Sequence, residues 1–82
     1  MKTTETFLDV VYKAKYPLSM NTTEKGIELT VECKRPAYRV TQTLHHQDVP
    51  KDVARREMYL AYELKQMLLK LEDMVQQSFK SN

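Results

Sequence analysis

From Ile27 to Lys34 apolar and polar positions alternate without a break, Ile27, Leu29, Val31 and Cys33 against Glu28, Thr30, Glu32 and Lys34. A period of two sends the first set to one face of a strand and the second set to the other, so this element has one buried face and one wet face. A similar run covers 38–46, with Tyr38, Val40 and Leu44 on one side and Arg39, Thr41, Thr43 and His45 on the other. Gln42 interrupts the apolar set. The segment 6–16 is the harder case. Leu8, Val10, Tyr12, Ala14 and Tyr16 alternate with Asp9, Val11, Lys13 and Lys15, which favours a strand, with Val11 as the exception. A helix is the alternative, capped by Thr4 and presenting Phe7, Leu8, Val11 and Ala14. Pro17 ends the pattern, and Asn21-Thr22-Thr23-Glu24-Lys25-Gly26 reads as a loop whose glycine can take a positive backbone dihedral.

The two clear strands predict their own register. If Cys33 faces Tyr38, then Val31 faces Val40 and Ile27 faces Leu44 on the inner side. On the outer side Glu32 meets Arg39, Thr30 meets Thr41 and Glu28 meets Thr43, each a stabilising cross-strand pair. A slip by one residue would set Cys33 against Arg39 and exchange the faces throughout. Pro36 fits a two-residue primed turn poorly, because proline cannot adopt the positive dihedrals such turns require, so a wider loop is expected at the tip.

A third pattern fills the end of the chain. Asp48 or the following residue is expected to cap a helix over 50–79, with Pro50 in the first turn, where its missing donor costs nothing. Val53, Leu60, Leu64, Met67, Leu71 and Met74 form a stripe of four- and three-residue steps, widened by Ala54, Ala61, Leu68 and Val75. Such a helix measures about 43 Å, whereas strands of eight residues span about 27 Å. The distal turns therefore overhang. Met67, Leu68, Leu71, Met74, Val75 and Phe79 are assigned to a partner interface, with a second copy as the simplest cover. The competing accounts are a helix that bends back, or a helical first segment that shields it.

Composition narrows the function classes. A chain of 82 residues fits one domain, 1–82, near the size at which a single core only marginally offsets chain entropy. Thirteen basic against eleven acidic residues give a net charge of +2, too mild to imply nucleic acid by itself. The one cysteine, Cys33, cannot form an internal disulfide, no secretory leader opens the chain, and no run reaches the length of a membrane span, so a cytoplasmic protein is expected. The sequon at Asn21 carries no weight without a secretory signal.

Candidate chemistry is sparse. Lys34, Arg35, Tyr38 and Arg39 at the hairpin tip combine positive charge with an aromatic ring, a combination suited to phosphates and splayed bases. Arg55 and Arg56 extend that patch only if the helix start lies beside the tip, and strand geometry instead separates the two by about 25 Å. His45 and His46, with Asp48 and Glu57, invite a metal reading, but adjacent strand residues point to opposite faces. Cys33 sits on an apolar face, where a thiol is usually inert packing. No glycine-rich loop cradles a phosphate. Neither catalysis nor a cofactor nor a metal is implied. Tyr59 and Tyr62, with Met58 and Leu69, lie off the main helical stripe and are types enriched at protein interfaces.

These readings combine into an α+β fold, a three-stranded antiparallel sheet in β-β-β-α order packed on one long C-terminal helix, with a homodimer or higher homo-oligomer formed through that helix. The expected function is that of a non-enzymatic binding or regulatory accessory protein that occupies a partner protein or small ligand. Small single-domain chains of this build are typical of accessory proteins of phages and other mobile elements. The alternative is a nucleic-acid-binding protein that uses the basic hairpin tip. No membrane association is expected.

Overall fold

Thr6 and Asp9 decide how the described part of the chain begins. The computed structural model describes residues 6–80. The Asp9 N–H donates to the Thr6 hydroxyl at 3.3 Å while the Thr6 N–H donates to the Asp9 carboxylate at 3.0 Å, a reciprocal capping box. Helix α1, Phe7–Lys13, follows and buries Phe7 and Val10. Within the strand expected over 6–16 the chain is helical from Phe7 to Lys13, as the alternative held for the type of element, although Leu8, placed on that helix's inner face, is exposed and Val10 is buried. The alternation that suggested a strand was misleading because Leu8 and Tyr12, counted as inward, are exposed. Thr4, the cap first considered, lies outside the described residues, and Thr6 is the cap.

The first strand comes later. β1, Leu18–Thr22, occupies part of the stretch expected to be a loop, and pairs antiparallel with β2, Gly26–Lys34, with Leu18 opposite Val31 and Thr22 opposite Ile27. The intervening turn is closed by Thr23, whose N–H donates to the Gly26 carbonyl at 2.7 Å and whose hydroxyl bonds the same residue. Gly26 does not have a positive φ. It is needed for a close approach instead, since a Cβ there would lie 2.0 Å from the Leu44 carbonyl oxygen on the next strand.

β3, Ala37–His45, pairs antiparallel with β2 in the expected register, Cys33 opposite Tyr38, Val31 opposite Val40 and Ile27 opposite Leu44. The tip is tighter than expected. Only Arg35 and Pro36 link the strands, through a cis peptide bond, and a turn with cis proline in its third position requires no positive dihedral. A 3-10 turn over His46–Asp48 then precedes the second helix, α2, Val53–Lys80. Asp48 belongs to that turn and Pro50 precedes the helix. Asp52 is the cap, its carboxylate accepting from the Arg55 N–H at 3.1 Å and its carbonyl from the Arg56 N–H at 2.8 Å.

The fold is thus α+β, an open three-stranded antiparallel sheet in spatial order β1-β2-β3 followed by a long C-terminal helix. α2 doubles back along β3. Gln42 donates to Glu63 at 2.9 Å near the start of this run, and Tyr38 at the tip end borders the same groove as Asp73, Met74 and Ser78. α1 lies along the opposite flank of α2, toward β1. There the Phe7 N–H donates to the Glu57 carboxylate at 3.1 Å, and the residues just after α1 reach Leu68 and Glu72. Leu29, Val31, Val40 and Leu44 of the sheet meet Leu60, Ala61, Leu64, Met67 and Leu71 of α2 and Phe7 and Val10 of α1 in one core.

The expected overhang is largely absent. Met67, Leu71 and Val75 are buried within their own chain, so they are not available to a partner as expected. Leu68 and Met74 are half-buried and pack against the core, and only Phe79 of that set is exposed. Two features account for this. β2 and β3 are nine residues long and carry Tyr38 out to the level of Met74, and the helical first segment shields the flank of α2. The described molecule is a slab of 46 × 39 × 16 Å with its outer sheet face uncovered. On that face the Thr30 and Thr41 hydroxyls lie 3.1 Å apart and Arg39 reaches Glu32 at 3.8 Å. No helix among the described residues is long and apolar enough to cross a membrane.

Candidate functional site

The hairpin that builds the basic tip also divides it. Lys34 and Arg35 are exposed there, but Arg39 is paired with Glu32 on the outer sheet face and Tyr38 is half-buried against the core on the inner one. Arg55 and Arg56 sit at the start of α2, which follows the far end of β3. Seven strand steps, about 24 Å, separate Tyr38 from His45, so the two basic groups occupy opposite ends of the slab. The histidines are no closer to a shared site. The His46 ring Nε2 lies 3.0 Å from the Thr23 carbonyl oxygen, and Glu57 is engaged with the start of α1. Among the described residues no group of three or more His, Cys, Asp or Glu side chains is placed to hold a metal ion. Cys33 is a half-buried free thiol.

A cluster the sequence did not announce lies where the chain leaves α1. The Tyr16 hydroxyl donates to the Glu72 carboxylate, Gln76 donates to its other oxygen at 3.2 Å, and the Lys15 ammonium stands 4.0 Å away. The bond to Glu72, reinforced by burial, pushes the Tyr16 phenol up to about 12. The same bond, with that from Gln76, holds the Glu72 carboxyl below its ordinary range. Beside this cluster runs a groove of about 390 Å³ with Ala14, Leu68 and Leu69 along it and Lys13, Lys15 and Lys65 at its rim. Nothing in the sequence spacing links Glu72 to Tyr16, 56 positions away.

The aromatic pair on α2 also separates. Tyr59 is half-buried against the core, and burial followed by Glu63 and Asp48 raises its phenol pKa. Tyr62 is 60% exposed and keeps company with Met58 at 53% and Leu69 at 64%. At about 100° per residue these three fall within about 40° of one another, on the side of α2 turned away from the sheet. A second exposed apolar group, Leu8, Tyr12 and Met20, belongs to α1 and β1. Comparison with protein-family models, curated proteins and solved structures finds no match for the chain.

Proposed function

We propose that this chain is a non-enzymatic binding protein that works as a homo-oligomer and acts by occupying a partner protein. The observation that carries this reading is the line of Met58, Tyr62 and Leu69 along the outer side of α2. Three large side chains left in water by their own fold, two of them of types enriched at interfaces, form a ridge that a partner groove can take up. The free thiol of Cys33 supports a reducing compartment such as the cytoplasm. The split basic groups leave the nucleic-acid alternative with less support, because Lys34 and Arg35 stand apart from Arg55 and Arg56.

The test compares the parent with a Tyr62→Ala, Leu69→Ala double variant that retains the parent's circular dichroism. A protein captured by the parent should be lost by this variant, and its affinity should change little with salt. Steep weakening of binding to a labelled single-stranded oligonucleotide as salt rises, relieved by Arg35→Ala, would replace this reading with the alternative.

The groove between α1 and α2 favours a second reading, a small amphipathic anion with its apolar body on Leu68 and Leu69 and its charge toward the rim lysines. Calorimetry with medium-chain carboxylates, parent against Lys15→Glu, decides whether it is used.

A further inference from the structure

We infer that a second copy of this chain docks on the free edge of β1, antiparallel and two-fold about Met20, joining two three-stranded sheets into one of six strands. This rests on the homo-oligomeric part of the proposed function and replaces the helix with the sheet edge as the contact.

Among the described residues β1 is an edge strand, paired with β2 alone. Its hydrogen-bonding phase is fixed by its two ends. The Glu32 N–H donates to the Pro17 carbonyl, and the Thr23 N–H donates to the Gly26 carbonyl. In an antiparallel ladder alternate residues bond the same neighbour, so Ser19 and Asn21 face β2 as Pro17 and Thr23 do. Leu18, Met20 and Thr22 therefore turn both their N–H and their C=O groups to the open side. A two-fold axis through Met20 sets Leu18 opposite Thr22 of the partner subunit and Met20 opposite Met20 of the partner subunit. Every pair then joins two outward-facing residues, and the whole strand is used.

Charge and apolar surface agree with that choice. Natural sheets protect free edges with charged residues or proline inside the strand. The opposite edge, β3, carries Arg39 and His45, whereas Leu18–Thr22 contains no charged side chain, so self-pairing meets no repulsion within the strand. Met20 lies beside the fully buried Leu29 on the helix side of the sheet yet is 55% exposed. Leu8 and Tyr12 lie about 100° and 140° around α1 from Phe7, on the side opposite Val10, and Tyr12 is 92% exposed. α1 packs against α2 and leads directly into β1, and Leu8 and Tyr12 are left in water on its outer side. A strand edge of five residues is too small to hold a dimer alone. Met20 of both copies adds apolar surface at the axis, and a contact of this small size makes the dimer concentration-dependent.

Light scattering across a concentration series tests this with the parent, Met20→Pro and Leu69→Glu. The outward N–H of Met20 is the one its own sheet does not use, so proline there removes an edge donor and spares the ladder to β2. The expected result is a parent dimer, a Met20→Pro chain with unchanged circular dichroism whose apparent mass is halved, and a Leu69→Glu chain that still dimerises. If Met20→Pro fails to fold, Met20→Lys sets two like charges face to face at the axis and should dissociate at low salt and recover at high salt. A Met20→Pro or Met20→Lys chain that remains dimeric, with Leu69→Glu monomeric, overturns the edge contact and leaves a homo-oligomer built through the helix. A parent that is monomeric throughout overturns homo-oligomerisation itself, and the edge contact with it, including the case in which the β1 edge is protected from amide exchange only when a different protein is bound.

Discussion

The Tyr16 hydroxyl donates to the Glu72 carboxylate, tying the link between α1 and β1 to the distal half of α2 across 56 positions of sequence. The bond acts on stability with opposite signs at the two ends of the pH scale. Glu72 has a lowered pKa in the folded chain, so its contribution is present above the ordinary carboxylate range and is lost as pH falls through the folded value. Tyr16 is raised from 10.0 to about 12, so its contribution is present below pH 10 and is lost as pH rises toward 12. Urea unfolding across pH should show both losses in the parent. Tyr16→Phe should lower stability near neutrality, remove the alkaline loss assigned to this phenol and flatten the acid limb.

The buried and exposed leucines of α2 should part company under substitution. Leu71 is fully buried, and Leu71→Ala should cost about 2–5 kcal/mol, with Leu71→Glu preventing folding. Leu69→Ala, two residues away and 64% exposed, should change stability by no more than about 0.5 kcal/mol. Denaturant midpoints for the two alanine variants decide it. Equal effects would contradict the placement of the distal turns against their own sheet.

Gly26→Ala should be costly although it adds one methyl group. The new carbon would stand 2.0 Å from the Leu44 carbonyl oxygen and 2.8 Å from the His45 Cα, both backbone atoms that cannot rotate aside. The strands must separate there, and overpacking of this kind costs about 1–3 kcal/mol. A lower melting temperature, with faster amide exchange at the Gly26 and His45 end of the hairpin than at the Lys34 and Ala37 end, is the expected result.

The β2–β3 hairpin was legible because its two faces differ in chemistry over nine residues, so a one-residue slip carries Arg39 or Glu32 into the core. β1 was not, since an edge strand buries little. Of Leu18, Met20 and Thr22 on its inner side, only Leu18 is even half-covered. α1 is seven residues long, too short for a helical period to outweigh a chance alternation. Its capping box was in plain view as Thr6 followed by Asp9, but aspartate is a less familiar partner there than glutamate. The expected overhang of the distal helix is largely taken up for a geometric reason: α1 covers a flank of α2, and Tyr38 extends the sheet to the level of Met74. The Tyr16–Glu72 cluster depends wholly on that placement of α1 and left no trace in local spacing.

A wafer only 16 Å thick has a single sheet of side chains for its interior, with no deeper stratum beneath. Sheet and both helices share that one core, so damage at Leu64 or Leu44 reaches every element and cannot be contained in one quarter of the protein. Melting should accordingly take strands and helices together, with one transition seen alike by fluorescence, circular dichroism and calorimetry.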